Sequence, residues 1–160
     1  MKTRTLDDLF PDLLRDVWYA GRKILKALPE MACGAQSADL KAAFEKHRDD
    51  TEIHVERLQQ VFDIPGKTCP AIEGIPDEGE EVPEAFKESP ALDAGLVAAA
   101  QAVAHYEISR YGSLRNWAKT LGQGEIAEIL QTTLDEEEKT DDALTALADR
   151  SINRAVLKAA

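Results

Sequence analysis

The stretch DIPGKTCPAIEGIPDEGEEVPEAFKE, residues 63–88, parts the chain into two halves of similar build. It carries Pro65, Pro70, Pro76 and Pro83 among a cluster of acids. Two segments with helical periodicity precede it and two follow it, and no stretch alternates as a strand does. Within each half the connection is only a few residues long, so each half reads as an antiparallel helical hairpin. A long crossing between two short-looped hairpins is the one-crossover arrangement. The reading is therefore all-α, a ferritin-like up-down four-helix bundle of two antiparallel hairpins joined by one long crossover. An unstructured linker is the competing reading of 63–88.

Working outward, the first helix spans about Thr5 to Leu28, with Thr5 as cap and Asp7 and Asp8 matched to the positive helix start. Pro11 should kink it or mark its true start, and Pro29 should interrupt it. The second runs from Ser37, as cap, to Phe62, and its inward line is Leu40, Phe44, His47, Thr51, His54 and Leu58. The third runs from Ser89 to Leu121, opening on a Ser89–Pro90 cap and closing at Gly122–Gln123–Gly124. Its line includes Leu92, Leu96, Val103, Glu107, Arg110 and Leu114. The fourth runs from Glu125 to Ala148 along Ile126, Leu130, Thr133, Glu137 and Leu144. One domain over 1–150 results, with 151–160 as a tail or short helix.

Charge limits the partners. Thirty acids against 19 bases among 160 residues give a formal charge of −11, which repels nucleic acid and anionic membrane alike. No apolar run is long enough to cross a bilayer, and Asp7, Asp8 and Asp12 interrupt any signal-peptide core, so a cytoplasmic setting is expected. Cys33 and Cys69 read as reduced thiols. No phosphate-binding glycine loop and no nucleophile elbow is present.

The chemistry lies where ionisable groups break the apolar lines. The second helix offers His47, Asp50 and His54; the third offers Glu107, with His105 a face away; the fourth offers Glu137 and Asp141. Asp50 and His54 are four apart, as are Glu137 and Asp141, so each pair addresses one point beside its helix. Carboxylates from different helices meeting at one level repel each other, and a cation removes that repulsion. A mixed carboxylate and imidazole set suits iron, manganese or zinc. The candidate ligands are Asp50, His54, Glu107, Glu137 and Asp141, with iron or manganese as the ion. His47 and His105 read more simply as packing or hydrogen-bonding histidines. A metal-free reading stays open, with Arg110 neutralising Glu107 and Lys139 neutralising Glu137.

The strings KALPEMA (26–32), HRDDTEIHVERL (47–58), AAAQ (98–101), HYEISRYG (105–112) and TLDEEEKTD (133–141) resemble the YciE/YciF family of bacterial stress-response proteins. The resemblance covers about Leu6 to Ala148, with Cys69 and the Glu73–Gly74 pair in the crossover. It implies a ferritin-like bundle, a homodimer, a bacterial cytoplasm and a dinuclear iron-type site. Three positions depart from the pattern. Asp49–Asp50 replaces a Glu-Glu pair, Ala104 replaces a carboxylate on the third helix, and Ala20–Gly21 replaces an Ala-Glu pair on the first. Gly21 is expected to open a gap that a water or ligand fills. Two functional readings follow: a metal-binding stress protein with a reduced ligand set, or a dimeric helical module whose site is degenerate and metal-free.

Overall fold

A computed structural model describes residues 4–61 and 69–159. The expected end of the second helix at Phe62 and the first residues of the crossover lie outside the described residues. Among those described there are six α-helices and no strand. Helix α1 is Leu6–Gly34, α2 Ala38–Val61, α3 Pro70–Phe86, α4 Leu92–Thr120 and α5 Gly124–Leu147. A wide π-type turn, Ala148–Ile152, then leads into the short α6, Asn153–Ala159. No described helix is long and apolar enough to cross a membrane.

Four helices close a ring of contacts: α1 on α2, α2 on α5, α5 on α4, and α4 back on α1. Neighbours run antiparallel. Gly21 meets Val55 and Gly34 meets Leu96, while Arg57 reaches Glu136 and Arg115 reaches Gln131. Helix α2 therefore ends far from the start of α4, and the crossover must travel the length of the bundle. α3 does so while packed against α4 and α1.

Several boundaries differ from the sequence reading. α1 passes through Pro29 and stops at Gly34, because Leu28, Met31 and Ala32 continue the buried line beyond the proline. α4 begins at Leu92 rather than Ser89. Ser89 instead heads a turn in which its hydroxyl accepts the Ala91 N–H at 3.1 Å. The Ser37 cap stands, its hydroxyl accepting the Leu40 N–H at 3.3 Å. Gly122 ends α4 in the left-handed region, φ +73°, where L side chains are disfavoured.

The larger difference is α3, a helix where a long connection was expected. Pro70 fits its first turn, where an N–H would have no partner anyway. Cys69 and Ile72 are buried and Ile75 half-buried, which gives one apolar side at a three-residue spacing. Gly95 of α4 admits that helix closely: a Cβ there would sit 2.6 Å from Val82 Cγ1. Glu73 ties α3 to α1 by accepting hydrogen bonds from Lys23 Nζ, at 2.7 Å, and from the Tyr19 hydroxyl. Lys23 and then Tyr19 hold the Glu73 carboxyl below the usual range. Docking of α3 is thus favoured above the ordinary glutamate range and weakens as pH falls through the lowered value. Amide exchange, corrected for the intrinsic rate, is expected to quicken in α3 before it does in α5 as pH falls below the ordinary glutamate range. Simultaneous quickening of both would show that the tether contributes nothing.

The core falls into two apolar clusters, one around Ile24, Leu28, Phe44, Leu96 and Leu144, the other around Phe10, Leu14, Leu58, Leu114 and Leu130. Each fully buried large side chain contributes about 2 kcal/mol. Where these clusters meet, α2, α4 and α5 bring buried polar residues together: His47, Thr51, His54, Glu107, Thr133 and Glu137.

Candidate metal centre

Helical period places the polar layer. His47, Thr51 and His54 follow a four-then-three spacing along α2, so all three face inward. Thr51 returns its hydroxyl to the His47 carbonyl at 2.8 Å, which leaves the interior to the two imidazoles. Glu107 continues the line of Val103 on α4, and Glu137 that of Leu134 on α5. Both glutamates are 0% exposed and both histidines 1%.

His47 Nε2 lies 3.5 Å from Glu137 Oε2 and 4.0 Å from Glu107 Oε2. One donor atom from each of His47, Glu107 and Glu137 falls within 4.8 Å of the others. His54 Nδ1 stands 3.0 Å from Glu137 Oε1. These are ion-pair distances without hydrogen-bond direction. Both nitrogens of His47, Nδ1 of His54 and all four oxygens of Glu107 and Glu137 are buried without a hydrogen-bond partner. The groups point into a shared space more than at each other.

The outer wall fixes one tautomer. His54 Nε2 is 2.8 Å from Glu136 Oε2, and Arg57 grips the same carboxylate. Arg57, outweighing partial burial, holds Glu136 below its usual range. An ionised Glu136 only accepts, so His54 Nε2 carries the proton. In the neutral ring Nδ1 is then a lone pair aimed at a carboxylate oxygen, an arrangement that a cation or a proton must relieve.

Burial, and next the charge of Glu137, push the Glu107 carboxyl well above its ordinary value. Burial presses Glu137 upward too, but His47 and His54 together outweigh it and hold Glu137 low. Burial likewise raises Tyr111, whose ring meets His54 edge-on with centroids 6.4 Å apart.

Of the five expected ligands, His54, Glu107 and Glu137 meet here. Asp50 is partly exposed and pairs with Lys46 on its own helix. Asp141 accepts from Gln101 Nε2 at 3.0 Å and faces His105 Nε2 at 3.1 Å, in a network at the α4–α5 surface. His47, read from the sequence as a packing residue, is central. Its signal was its place on the inward line with Thr51 and His54. The expected neutralising cations are elsewhere: Lys139 is exposed, and Arg110 stacks over the Tyr106 ring at 5.2 Å.

Gly21 opens no gap. A Cβ there would lie 2.7 Å from Val55 Cγ2, so the valine already fills the space and draws α1 against α2. With Ala20 and Ala104 fully buried nearby, the ionisable groups of the layer come from α2, α4 and α5. Cys33 is exposed and Cys69 buried, and both are free; Cys69 Sγ lies 3.4 Å from the Tyr106 hydroxyl.

Comparison with known proteins places this geometry. Residues 5–157 match the model of a domain family described as a domain of unknown function, DUF892. Protein YciF of Escherichia coli strain K12 is 38% identical over 160 residues, covering 96% of both chains. The crystal structure of the E. coli stress protein YciF superposes with a TM-score of 0.90 at 38% identity, over 94% of this chain and 99% of that one. A Rhodopseudomonas palustris protein, YcfI, described as structural, gives 0.86 at 41% identity over 89% and 94%. A Xanthomonas campestris protein at 15% identity shares the fold, with a TM-score of 0.74. The chain belongs to the DUF892 family, as a homologue of YciF with the same ferritin-like helical fold.

Proposed function

We propose that this chain is a ferritin-like stress protein that holds a divalent transition metal between α2, α4 and α5. The observation that carries the reading is the set of seven buried nitrogen and oxygen atoms with no hydrogen-bond partner on His47, His54, Glu107 and Glu137. Buried polar groups are normally satisfied, and unpaired ones cost about 1–3 kcal/mol each. A cation satisfies several at once.

His47, Glu107 and Glu137 would hold the ion. The His54 Nδ1 lone pair, 3.0 Å from Glu137 Oε1, would be a further donor to it, and Glu136 with Arg57 would orient His54 from behind, as outer partners do for metal ligands. Two imidazoles and two carboxylates suit iron or manganese. When bound, either metal would supply redox chemistry directed at oxidants, in keeping with a stress role. The protein's own contribution is a dry, shaped layer between two apolar clusters.

Element analysis of protein purified without chelator tests this. Roughly one iron or manganese per chain is expected, with release on acidification as the carboxylates take up protons. Less than about a tenth of an ion per chain, with no uptake of either metal, supports the degenerate site instead. In that case protons rather than a metal ion neutralise the layer, and burial favours the protonated form of Glu107.

A further inference from the structure

A cavity of about 290 Å³ lies between α1, α3 and α4, and His47 forms part of its wall. Its other walls are apolar: Ile24, Leu28 and Met31 from α1, Ile75 from α3, and Ala100 and Val103 from α4. Small side chains, Ala27 and Ala99 among them, leave the space unfilled. An engineered apolar cavity of ~150 Å³ takes benzene, so this one has room for a body of about two fused rings. It sits near the lower end of the range for small-molecule sites.

Two polar features select the occupant. Glu30 and Glu84 line the cavity and are exposed, which places acids at its rim. With a formal charge of −11 over the chain, they turn anions away. Inside, His47 is the buried hydrogen-bonding side chain among the lining residues. Its Nε2 faces Glu107 and Glu137, and its Nδ1 has no partner. Both of its nitrogens are fully buried, so the cavity gains no free donor from it.

We propose that the cavity binds a small uncharged organic molecule, with an apolar body of roughly ten carbons, against His47 beside the metal centre. The inference rests on the metal reading in one respect, that His47 joins the cavity wall to that centre. The crossover helix α3 covers the site, held at its near end by Glu73 on Lys23 and Tyr19.

The test is calorimetric titration of the full chain, as purified, with 2-naphthol and with 2-naphthoate, alongside metal content on the same samples. The neutral probe should bind at least about tenfold more tightly than the anion. Ala99→Phe, on the partly buried cavity wall, and Ala27→Leu, milder and also on the wall, should each abolish 2-naphthol binding while metal content holds. Glu30→Lys with Glu84→Lys should raise 2-naphthoate binding. Failure of 2-naphthol to bind wild type, or equal binding to both wall variants, overturns the proposal. Blockable binding to a chain without metal keeps the cavity and removes the metal reading. A metal-loaded chain that takes no probe does the reverse.

Discussion

Glu137→Gln is expected to lower the affinity for iron or manganese at least about 100-fold and to remove most of the rise in melting temperature that metal gives the wild type. The carboxylate of Glu137 stands between both imidazoles, 3.5 Å from His47 Nε2 and 3.0 Å from His54 Nδ1. Without its charge, the remaining buried carboxyl is Glu107, whose protonated form burial favours. A neutral acid and a neutral amide are poor partners for a cation. At a metal concentration ~100 times the wild-type Kd, the wild type should gain about 2.7 kcal/mol, and the variant at most about 0.4 kcal/mol. Calorimetric melting with and without manganese measures both. The metal-free protein should behave oppositely, since removing a buried charge is neutral or stabilising when no ion sits against it. An equal thermal shift in variant and wild type would dismiss Glu137 as a ligand.

Gly21→Leu should destabilise the bundle by about 2–3 kcal/mol, although leucine is the better helix former by close to 1 kcal/mol. The clash decides the sign. A Cβ at position 21 meets Val55 Cγ2 at 2.7 Å, and a valine in a helix has essentially one comfortable rotamer. Either the helices part or the valine strains. For a chain of this length the melting temperature should fall by roughly 6 °C. Val55→Ala in the Gly21→Leu background should recover part of the loss, a coupling that independent sites would not show. An unchanged or higher melting temperature in Gly21→Leu would mean that α1 and α2 are not held together at this point.

The bundle was legible because each long helix carries its own apolar line and the connections at 35–37 and 121–123 are short. The crossover's helix was hidden by composition. Prolines at 70, 76 and 83 and a run of acids mask the spacing of Cys69, Ile72 and Ile75, and α3 owes its place to α4 and α1. Glu107 and Glu137 were legible for a similar reason, since each stands at the centre of its helix's line. Asp50 and Asp141 share a helix side with true members of the cluster, but Lys46 and the Gln101–His105 pair claim them first. Such capture depends on neighbours that one helix's spacing does not show. His47 illustrates the converse. A lone histidine on an apolar line is ambiguous until α4 and α5 bring Glu107 and Glu137 to it. Gly21 read as a gap because the residue opposite, Val55, lies on another helix.

Anomalous diffraction from crystals of the full chain grown with manganese tests the metal centre most directly. One anomalous peak is predicted, within coordination distance of His47, Glu107 and Glu137 and roughly 2 Å from each donor atom. Density free of any peak there, with Glu107 and Glu137 drawn together across a shared proton, would contradict a metal site and leave a proton-neutralised polar layer in its place.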